Sequence, residues 1–445
     1  QSCSTDCGLC SRVEAMIPKS SPHDWRNILL GDITREVSER VGKNNEVPRI
    51  YGVEREAGLT PTPKYVAKDV SRYKKIDPGM FAYNPMRLNI GSLGFCSLDH
   101  QPGAVSPDYV VFQCDHSLVD PQYMYYLTQS PQWGEWVHGA GVGSVRVRIY
   151  YRELARMQLW VPPMDEQHSI TSVLGALDGK IEQNRRRSSA LEQLTRATFK
   201  AWFVDFEPVK AKAAGQTSFP GMPQDAFAAL PSRFADSPLG QVPEGWQVGK
   251  LGDYCEINKR TVRTGQIDGE IEYIDIASVT VGRLYGVQRV PFADAPNRAR
   301  RCVRHGDTIW SCVRPNRRSY LFVHSPPDNR IASTGFAVLS PAIFGASYLH
   351  ELTTRQEFVD YLVANADGSA YPAVRPDHFA SADVLVPAAI IRKKFEEVTM
   401  PLRDLLAASE AESVQLAVLR DYLLPRLLSG QVRVSKAGQR AREAL

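Results

Sequence analysis

The densest cluster of hydrogen-bond donors in this sequence is the stretch 311–319, which contains Arg314, Asn316, Arg317 and Arg318. An arginine guanidinium fits guanine in the major groove of DNA, and an asparagine amide fits adenine. Other arginines and lysines neutralise phosphates. The further residues that we predict to contact DNA are Lys74, Lys75, Arg87, Asn89, Arg146, Arg148, Lys259, Arg260, Arg300 and Arg301. From charge alone, the alternative is a solvated basic face without a partner.

Three cysteines near the start of the chain have the spacing of an iron–sulfur motif. Cys3, Cys7 and Cys10 form the pattern Cys-x3-Cys-x2-Cys, and three thiolates could also begin a zinc site. Only two residues precede Cys3, so we expect no strand that could present such a loop. We therefore interpret these cysteines as adventitious and predict no metal or cofactor in this chain.

Residue patterns typical of enzymes are weak or missing. The glycines at positions 139, 141 and 143 lack the third glycine of a dinucleotide-binding loop at its required spacing, and they follow a helix-like stretch. Asn84-Pro85 matches only the first half of the Asn-Pro-Pro-aromatic motif of amino-methyltransferases. No Walker A, His-Glu-x-x-His or Gly-x-Ser-x-Gly pattern occurs. We therefore predict a binding scaffold rather than an enzyme.

Length and composition limit the remaining possibilities. A chain of 445 residues should form several domains, since a domain has about 100–200 residues. Its net charge of +4 permits nucleic-acid binding without requiring it. The sequence predicts neither a membrane span nor a secretory signal, because no long apolar run and no basic leader occur. Eight cysteines are too few for a disulfide scaffold, so we expect a reducing cytoplasm.

The sequence contains an internal repeat. Trp25 recurs as Trp246, at an offset of 221 residues. Further matches, at offsets of 225 to 227, are Gly79, Tyr83, Arg87 and Asn89 with Gly306, Trp310, Arg314 and Asn316, and Val161-Pro162 with Val386-Pro387. Each copy combines short β-rich runs with a long helix, so we predict an α+β fold built from two similar modules. The apolar runs 80–83 and 308–310 should be buried strands whose ends project the donor-rich loops. Two similar but non-identical basic modules suit a protein that reads two different half-sites.

Each copy ends in a region with apolar residues at heptad spacing. The predicted seam consists of Ile170, Val173, Leu177, Leu191 and Leu194 in the first copy and Phe395, Val398, Leu402, Leu416 and Leu419 in the second. Helices of about 40 residues would be about 60 Å long. Because a narrow apolar seam needs a partner helix, we predict that the two helices pack on each other, antiparallel. The alternative is that each helix packs on its own module.

Several of these stretches resemble the specificity subunits of type I restriction–modification systems. The residues that carry the resemblance are Val161-Pro162-Pro163, the runs 177–184, 199–206 and 238–246, and Leu427-Leu428-Ser429-Gly430. The resemblance covers roughly residues 20–432 and is specific in the helices and the linker. The first half departs from the family pattern, because residues 21–25 match residues 243–246 poorly, and the role of residues 1–20 stays open.

The resemblance implies two pseudo-symmetric α/β target-recognition domains that are separated by two long antiparallel coiled-coil helices. Each domain would read one half of a bipartite, asymmetric site in double-stranded DNA. We therefore assign residues 1–161 and 243–386 to the two recognition domains, 162–206 and 387–430 to the two spacer helices, 207–242 to a Pro-rich linker and 431–445 to a basic tail.

The resemblance also implies partners. Two methyltransferase (modification) subunits would dock on the helices, and restriction/translocase subunits would join them, so that the complex methylates or restricts DNA. S-adenosylmethionine, ATP and Mg²⁺ would belong to the partner subunits. Two alternatives stay open, a DNA methyltransferase with an unrecognised cofactor loop and an adaptor in another phage-defence assembly. Binding of S-adenosylmethionine by the isolated chain would identify the first, and co-purifying partners would identify the second.

Overall fold

The computed structural model describes residues 24–43, 49–55, 57–61, 63, 65–139, 148–263, 265–368 and 371–434. The three N-terminal cysteines, Arg146 and most of the predicted basic tail lie outside these described residues. The chain forms two compact units, of which unit 1 comprises residues 1–182 and 413–445 and unit 2 comprises residues 183–412. The division between the units falls inside both predicted spacer helices, so each unit contains one module and part of each helix.

Unit 1 contains short strands, short helices and the beginning of a long helix. The strands are β1 (Arg26–Leu29), β2 (Thr34–Val37), β3 (Arg49–Glu54), β4 (Gly58–Thr60), β5 (Lys74–Ile76), β6 (Met80–Tyr83), β7 (Leu93–Phe95), β8 (Gly103–Val105), β9 (Val110–Cys114) and β10 (Gln158–Val161). The helices are α1 (Leu30–Ile33), α2 (Pro121–Leu127), α3 (Pro131–Gly139), α4 (Tyr151–Leu154) and α5 (Met164–Phe203), with a 3-10 turn at Leu88–Ile90.

Eight strands of unit 1 form two four-stranded sheets, and β1 pairs with β10. One sheet has the order β2-β9-β6-β7, and the other has the order β4-β3-β8-β5 with β3 parallel to β8. Side chains alternate along β6, so that Phe81 and Tyr83 face the core below the helices while Ala82 faces the core of the second sheet. Phe81 stacks on Phe112 with 4.8 Å between ring centroids. Because both faces of β6 are covered, this strand is a fixed base for the loop that follows it.

Unit 2 has corresponding elements. Its strands are β11 (Phe234–Ser237), β12 (Gly240–Pro243), β13 (Gln247–Lys250), β14 (Cys255–Ile257), β15 (Glu270–Ile274), β16 (Val279–Thr280), β17 (Arg283–Leu284), β18 (Gln288–Pro291), β19 (Ala299–Cys302), β20 (Thr308–Ser311), β21 (Tyr320–Phe322), β22 (Arg330–Ser333), β23 (Phe336–Pro341) and β24 (Asp383–Val386). Its helices are α6 (Glu207–Ala213), α7 (Gln224–Ala229), α8 (Ala346–Thr354), α9 (Gln356–Ala364), α10 (Pro376–Ala380) and α11 (Ala389–Leu428), with 3-10 turns at Leu251–Asp253, Ile276–Ser278, Phe292–Asp294 and Pro315–Arg317.

The two modules share one topology. The sheets of unit 2 have the orders β14-β23-β20-β21 and β18-β15-β22-β19, which repeat the orders of unit 1 strand by strand. Helices α2, α3, α4 and α5 begin 225 residues before α8, α9, α10 and α11. Strands β6 and β20 are buried, as the runs 80–83 and 308–310 predicted. The α+β fold of two similar modules is therefore confirmed.

The long helices α5 and α11 each span 40 residues and pack together. In unit 1, Ile170 and Leu174 of α5 share a core with Leu424 and Leu427 of α11. In unit 2, Trp202 lies against Phe395, with ring centroids 5.8 Å apart. Rising positions on α5 meet falling positions on α11, so the helices run antiparallel, as predicted.

Polar side chains lie in the middle of this helix pair. Asn184 is buried and donates a hydrogen bond of 2.7 Å to the carboxylate of Glu412. Ser188, Thr195 and Ser409 are also buried. A polar centre of this kind fixes the register of two helices, because a shift by one turn would leave the amide of Asn184 without its partner.

Polar contacts also attach each module to its long helix. In unit 1, the hydroxyl of Tyr126 donates to Asp178 over 2.7 Å, and Arg420 donates to the same carboxylate over 2.9 Å. In unit 2, Arg403 donates to Glu351 over 2.7 Å. Tyr126 and Glu351 occupy matching positions of the repeat, as do Asp178 and Arg403. At the same place of attachment, the long helix therefore contributes a carboxylate in unit 1 and a guanidinium in unit 2.

Residues 207–242, predicted as a Pro-rich linker, are part of unit 2. Val209, Phe227 and Leu230 are buried in its main core, together with Trp246. The segment therefore contributes apolar side chains to the core of the unit and does not form a free linker.

Candidate nucleic-acid interface

The donor-rich loop of unit 2 begins where the buried strand β20 ends. Arg314 and Arg318 both have left-handed backbone conformations, with φ of 52° and 56°, and they flank the 3-10 turn Pro315–Arg317. This conformation is unfavourable for residues other than glycine and is often found at functional sites. Pro315 is buried, while Asn316 and Arg317 are exposed. The turn thus presents an amide and a guanidinium outward from a rigid strand.

Arg314 forms a flat donor surface with an aromatic ring. Its guanidinium lies 4.3 Å from the ring centroid of Tyr371, and its backbone N–H donates to the Pro372 carbonyl over 2.7 Å. Tyr371 is 64% exposed, so the stacked pair remains accessible to a ligand. Tyr371 was not predicted to contact DNA. The 225-residue offset relates it to Arg146, which was predicted to do so.

Arg318, in contrast, is turned back onto the protein. It donates to the Gln356 side chain over 3.2 Å and to the Thr354 carbonyl over 3.1 Å. These two bonds attach the end of the loop to helices α8 and α9. We therefore assign Arg318 a positioning role, which leaves Arg314, Asn316 and Arg317 as the donors available to a ligand.

The corresponding loop of unit 1 follows strand β6. Arg87 is exposed and Asn89 is half-buried at the 3-10 turn Leu88–Ile90, which matches the turn of unit 2. The Ile149 N–H donates to the Pro85 carbonyl over 2.9 Å and holds the loop from the side. Arg148 is exposed beside that anchor. The two modules therefore present loops at the same position that share an arginine and an asparagine, and the loop of unit 2 adds Arg317 and Arg318 where unit 1 has Ile90 and Gly91.

Other predicted basic residues are engaged within the protein. Lys74 is half-buried and donates to the Tyr109 carbonyl over 2.7 Å, and burial lowers its pKa. Lys75 pairs with Glu39 at 2.5 Å. The remaining residues of unit 2 are bonded to neighbours, namely Lys259 to Glu256, Arg260 to Asp307 and Ser340, Arg301 to Thr261, and Arg300 to the Ala299 carbonyl and the Phe292 ring. Arg260 departs most from its prediction, because its partner Asp307 is fully buried and the pair is part of the module's core.

The predicted helix seam is placed as follows. Ile170 and Phe395 are fully buried, and the seam positions Val173, Leu177, Leu191, Val398, Leu402 and Leu416 are half-buried. Leu194 and Leu419 depart from the prediction, since they are 52% and 44% exposed. Leu174, which was not predicted, is fully buried in place of its neighbour Val173. The buried contact between the two helices is therefore shifted to one side of the predicted apolar stripe. It includes Leu174 and leaves Leu194 and Leu419 exposed.

Among the residues that the structure describes, no group of three or more His, Cys, Asp or Glu side chains could hold a metal ion. No helix within the described ranges is long and apolar enough to cross a membrane.

The chain is similar to known proteins over most of its length. No protein-family model matches it. It is 22% identical to the type I restriction enzyme HindI specificity subunit of Haemophilus influenzae, over 92% of this chain and 100% of that protein. It is also 22% identical to the MjaIX specificity subunit of Methanocaldococcus jannaschii, over 80% of this chain and 75% of that protein. These relatives confirm the resemblance to type I specificity subunits.

A solved structure has the same fold. The crystal structure of the S subunit of a type I restriction–modification system from M. genitalium matches with a TM-score of 0.57 at 12% identity, over 93% of this chain and 98% of that chain. At this identity the likeness extends to the fold alone.

Proposed function

We propose that this chain is the DNA-specificity subunit of a type I restriction–modification complex and does not itself catalyse a reaction. Each module would read one half of a bipartite, asymmetric site in double-stranded DNA. The observation that carries this proposal is the duplicated module, in which a buried strand of the same topology presents a donor-bearing turn twice. The two turns share an arginine (Arg87, Arg314) and an asparagine (Asn89, Asn316), and they differ at the next two positions, Ile90-Gly91 against Arg317-Arg318, where two different half-sites could be told apart.

The loop of unit 2 supports a division between reading and positioning. Asn316 and Arg317 are exposed donors on a turn that is fixed at both ends, so their direction is set before DNA binds. The stacked pair of Arg314 and Tyr371 offers a planar guanidinium, which suits a guanine edge or a phosphate. The Arg318 guanidinium donates its hydrogen bonds to helices α8 and α9, so this residue would hold the loop in position and would not contact DNA.

The experiment is alanine substitution of Arg314, Asn316, Arg317 and Arg318, one at a time, with affinity measured on cognate and scrambled duplexes at several salt concentrations. Loss of a residue that reads a base should weaken the binding free energy by about 1–3 kcal/mol on the cognate duplex and by little on the scrambled one. A residue that contacts only phosphate should weaken both alike and lower the salt slope by about one unit. Equal losses on both duplexes for all four variants would exclude base reading by this loop.

We also propose that modification subunits dock on the long helices and supply S-adenosylmethionine, while restriction/translocase subunits supply ATP and Mg²⁺ chemistry. In unit 1, Val414, Val418 and Tyr422 of α11 are 64%, 66% and 56% exposed and lie one helical turn apart. A continuous exposed apolar stripe is typical of a protein-binding surface. Val418→Asp should prevent association of the modification subunit, whereas Gln101→Asp, at an exposed position outside the long helices, should not.

A further inference from the structure

The guanidinium of Arg314 has free donors, yet it is held in one place. Within the described ranges, the Arg314 side chain forms no hydrogen bond and no ion pair, so the five N–H groups of its guanidinium are available to a ligand. The guanidinium carbon lies 4.3 Å from the centroid of the Tyr371 ring. Asn316 and Arg317 are exposed, and no hydrogen bond, ion pair or ring contact with a described residue holds their side chains. Arg314 is therefore the best-oriented free donor of the turn.

The backbone of Arg314 is attached to the segment that carries Tyr371. The Arg314 N–H donates to the Pro372 carbonyl over 2.7 Å, and the Val374 N–H donates to the Cys312 carbonyl over 2.8 Å. The guanidinium and the ring are therefore joined through the backbone as well as through their stacking.

The backbone of Tyr371 is restricted in turn. Pro372 follows it, and a residue before proline is confined mostly to extended conformations. Ala373 exchanges two hydrogen bonds with Asp367, of 2.8 and 2.9 Å. Asp367 also pairs with Arg375 at 3.3 Å. Tyr371 thus presents its ring from a position that is fixed on its C-terminal side.

The left-handed backbone of Arg314 occurs in this copy of the repeat and not in the other. Its φ of 52° is unfavourable for an arginine, whereas its counterpart Arg87 in unit 1 has a φ of −134°. Backbone strain of this kind persists where the surrounding structure fixes it, and it is concentrated at functional sites. The strained arginine is also the one that lies on an aromatic ring.

A guanidinium with a fixed plane favours a base over a phosphate. The O6 and N7 acceptors of guanine lie in the plane of the base, so a bidentate pair requires a guanidinium that is aligned with that plane. A phosphate offers oxygens in several directions and also accepts from a freely turning lysine. The Tyr371 ring covers one face of the Arg314 guanidinium, which leaves the N–H edge for a base.

We infer that Arg314 reads a guanine in the half-site of unit 2, and that Tyr371 is the positioning residue that sets the plane of the Arg314 guanidinium. This inference rests on the proposed function, because it needs a module that binds DNA. It goes further in naming the base and in giving an uncharged residue a part in specificity.

The test replaces single guanines of the half-site by 7-deazaguanine, which keeps its base pairing and lacks the N7 acceptor. The full chain, in complex with its own modification subunits, is bound to cognate duplexes with and without the analogue. For the unsubstituted chain we expect about tenfold weaker binding at one guanine. Arg314→Ala and Arg314→Lys should bind the two duplexes alike, because neither side chain can form the bidentate pair. Arg314→Lys keeps the charge, so it should also keep the salt slope.

Variants of Tyr371 separate positioning from stability. Tyr371→Leu retains Arg314 without the ring, so the analogue should weaken its binding by about twofold or less, whereas Tyr371→Phe should keep the tenfold effect. Tyr285→Leu is the matched control, because Tyr285 is a 73% exposed tyrosine of the same unit outside the donor-rich turn, and it should behave like the unsubstituted chain. If Tyr371→Leu binds more weakly but responds to the analogue as the unsubstituted chain does, Tyr371 does not orient Arg314.

Failure of this inference can be distinguished from failure of the proposed function. If the complex prefers its cognate duplex, but Arg314→Ala responds to the analogue at every guanine as the unsubstituted chain does, the inference is wrong and the proposed function stands. Equal weakening of cognate and scrambled duplexes by Arg314→Ala would assign this guanidinium to a phosphate and would likewise overturn it. If the unsubstituted complex binds cognate and scrambled duplexes alike, the proposed function fails and this inference fails with it.

Discussion

Removal of Glu351 should destabilise unit 2 strongly. Its carboxylate accepts a hydrogen bond of 2.7 Å from Arg403, and the two side chains are only 8% and 10% exposed. Arg403 also donates to the Ser347 hydroxyl over 2.9 Å. A guanidinium cannot shed its proton in a protein, so Glu351→Leu leaves a buried charge without its hydrogen-bonded carboxylate. Loss of one partner of a buried ion pair typically costs about 3–5 kcal/mol.

The opposite single variant should cost less and should depend on pH. Arg403→Met leaves a carboxyl group that can take up a proton, and burial already raises the pKa of Glu351 above its ordinary value of 4.5. Between the pKa of the unfolded chain and the higher pKa of the folded chain, the folded state binds the extra proton. The contribution of Glu351 to the stability of Arg403→Met is therefore fully present below about pH 4.5, and it is lost as pH rises through the folded pKa. Glu351→Leu should show no matching dependence.

The assay is urea unfolding of the full chain at pH 5 and pH 8, followed by amide hydrogen exchange in helix α8. The double variant Glu351→Leu/Arg403→Met is the control for packing, because replacement of a whole buried pair by apolar groups is often neutral. We expect it to cost much less than Glu351→Leu alone. If Glu351→Leu costs under about 1 kcal/mol, or if Arg403→Met is equally stable at both pH values, the pair is not the buried attachment described above.

Three further outcomes are expected. Leu174→Asp should cost several kcal/mol in thermal or urea unfolding, because Leu174 is fully buried, while Leu194→Asp, at a 52% exposed position, should change stability by about 0.5 kcal/mol or less. Replacement of residues 243–386 by the module of another specificity subunit should change one half of the methylated DNA motif, as read by sequencing of methylated bases, and a change in both halves would contradict independent reading. Lys75→Ala should leave sequence preference unaltered in a duplex-binding assay, since Lys75 is paired with Glu39.

The repeat and the helices could be predicted from the sequence because both depend on local patterns. A repeat shows in the sequence as similar residues at a nearly constant offset, and a helix pair shows as apolar residues at heptad spacing. Helices α5 and α11 begin 225 residues apart, as the repeat predicted. The phase of the seam was harder to predict. Asn184, Ser188 and Thr195 occupy buried positions, and a search for apolar residues passes over them in favour of neighbours such as Leu194.

The roles of single basic residues could not be predicted from their type. Arg260 and Asp307 are 47 residues apart in the chain, and only folding brings them to 2.8 Å. A lysine or arginine in a sequence looks the same whether it will meet a phosphate, a carboxylate or a carbonyl. Tyr371 carries no charge, so a search for basic residues could not find it, although the repeat relates it to Arg146.

The opposite charges of the two module attachments limit how such chains can recombine. A copy of the first module that lands on α11 would bring a tyrosine where Arg403 needs a carboxylate, and a copy of the second that lands on α5 would set Glu351 against Asp178. Gene conversion between the two halves would therefore be penalised unless its breakpoints carried the helix residue along with the module. Each module is therefore matched to its own long helix by the residue at position 178 or 403.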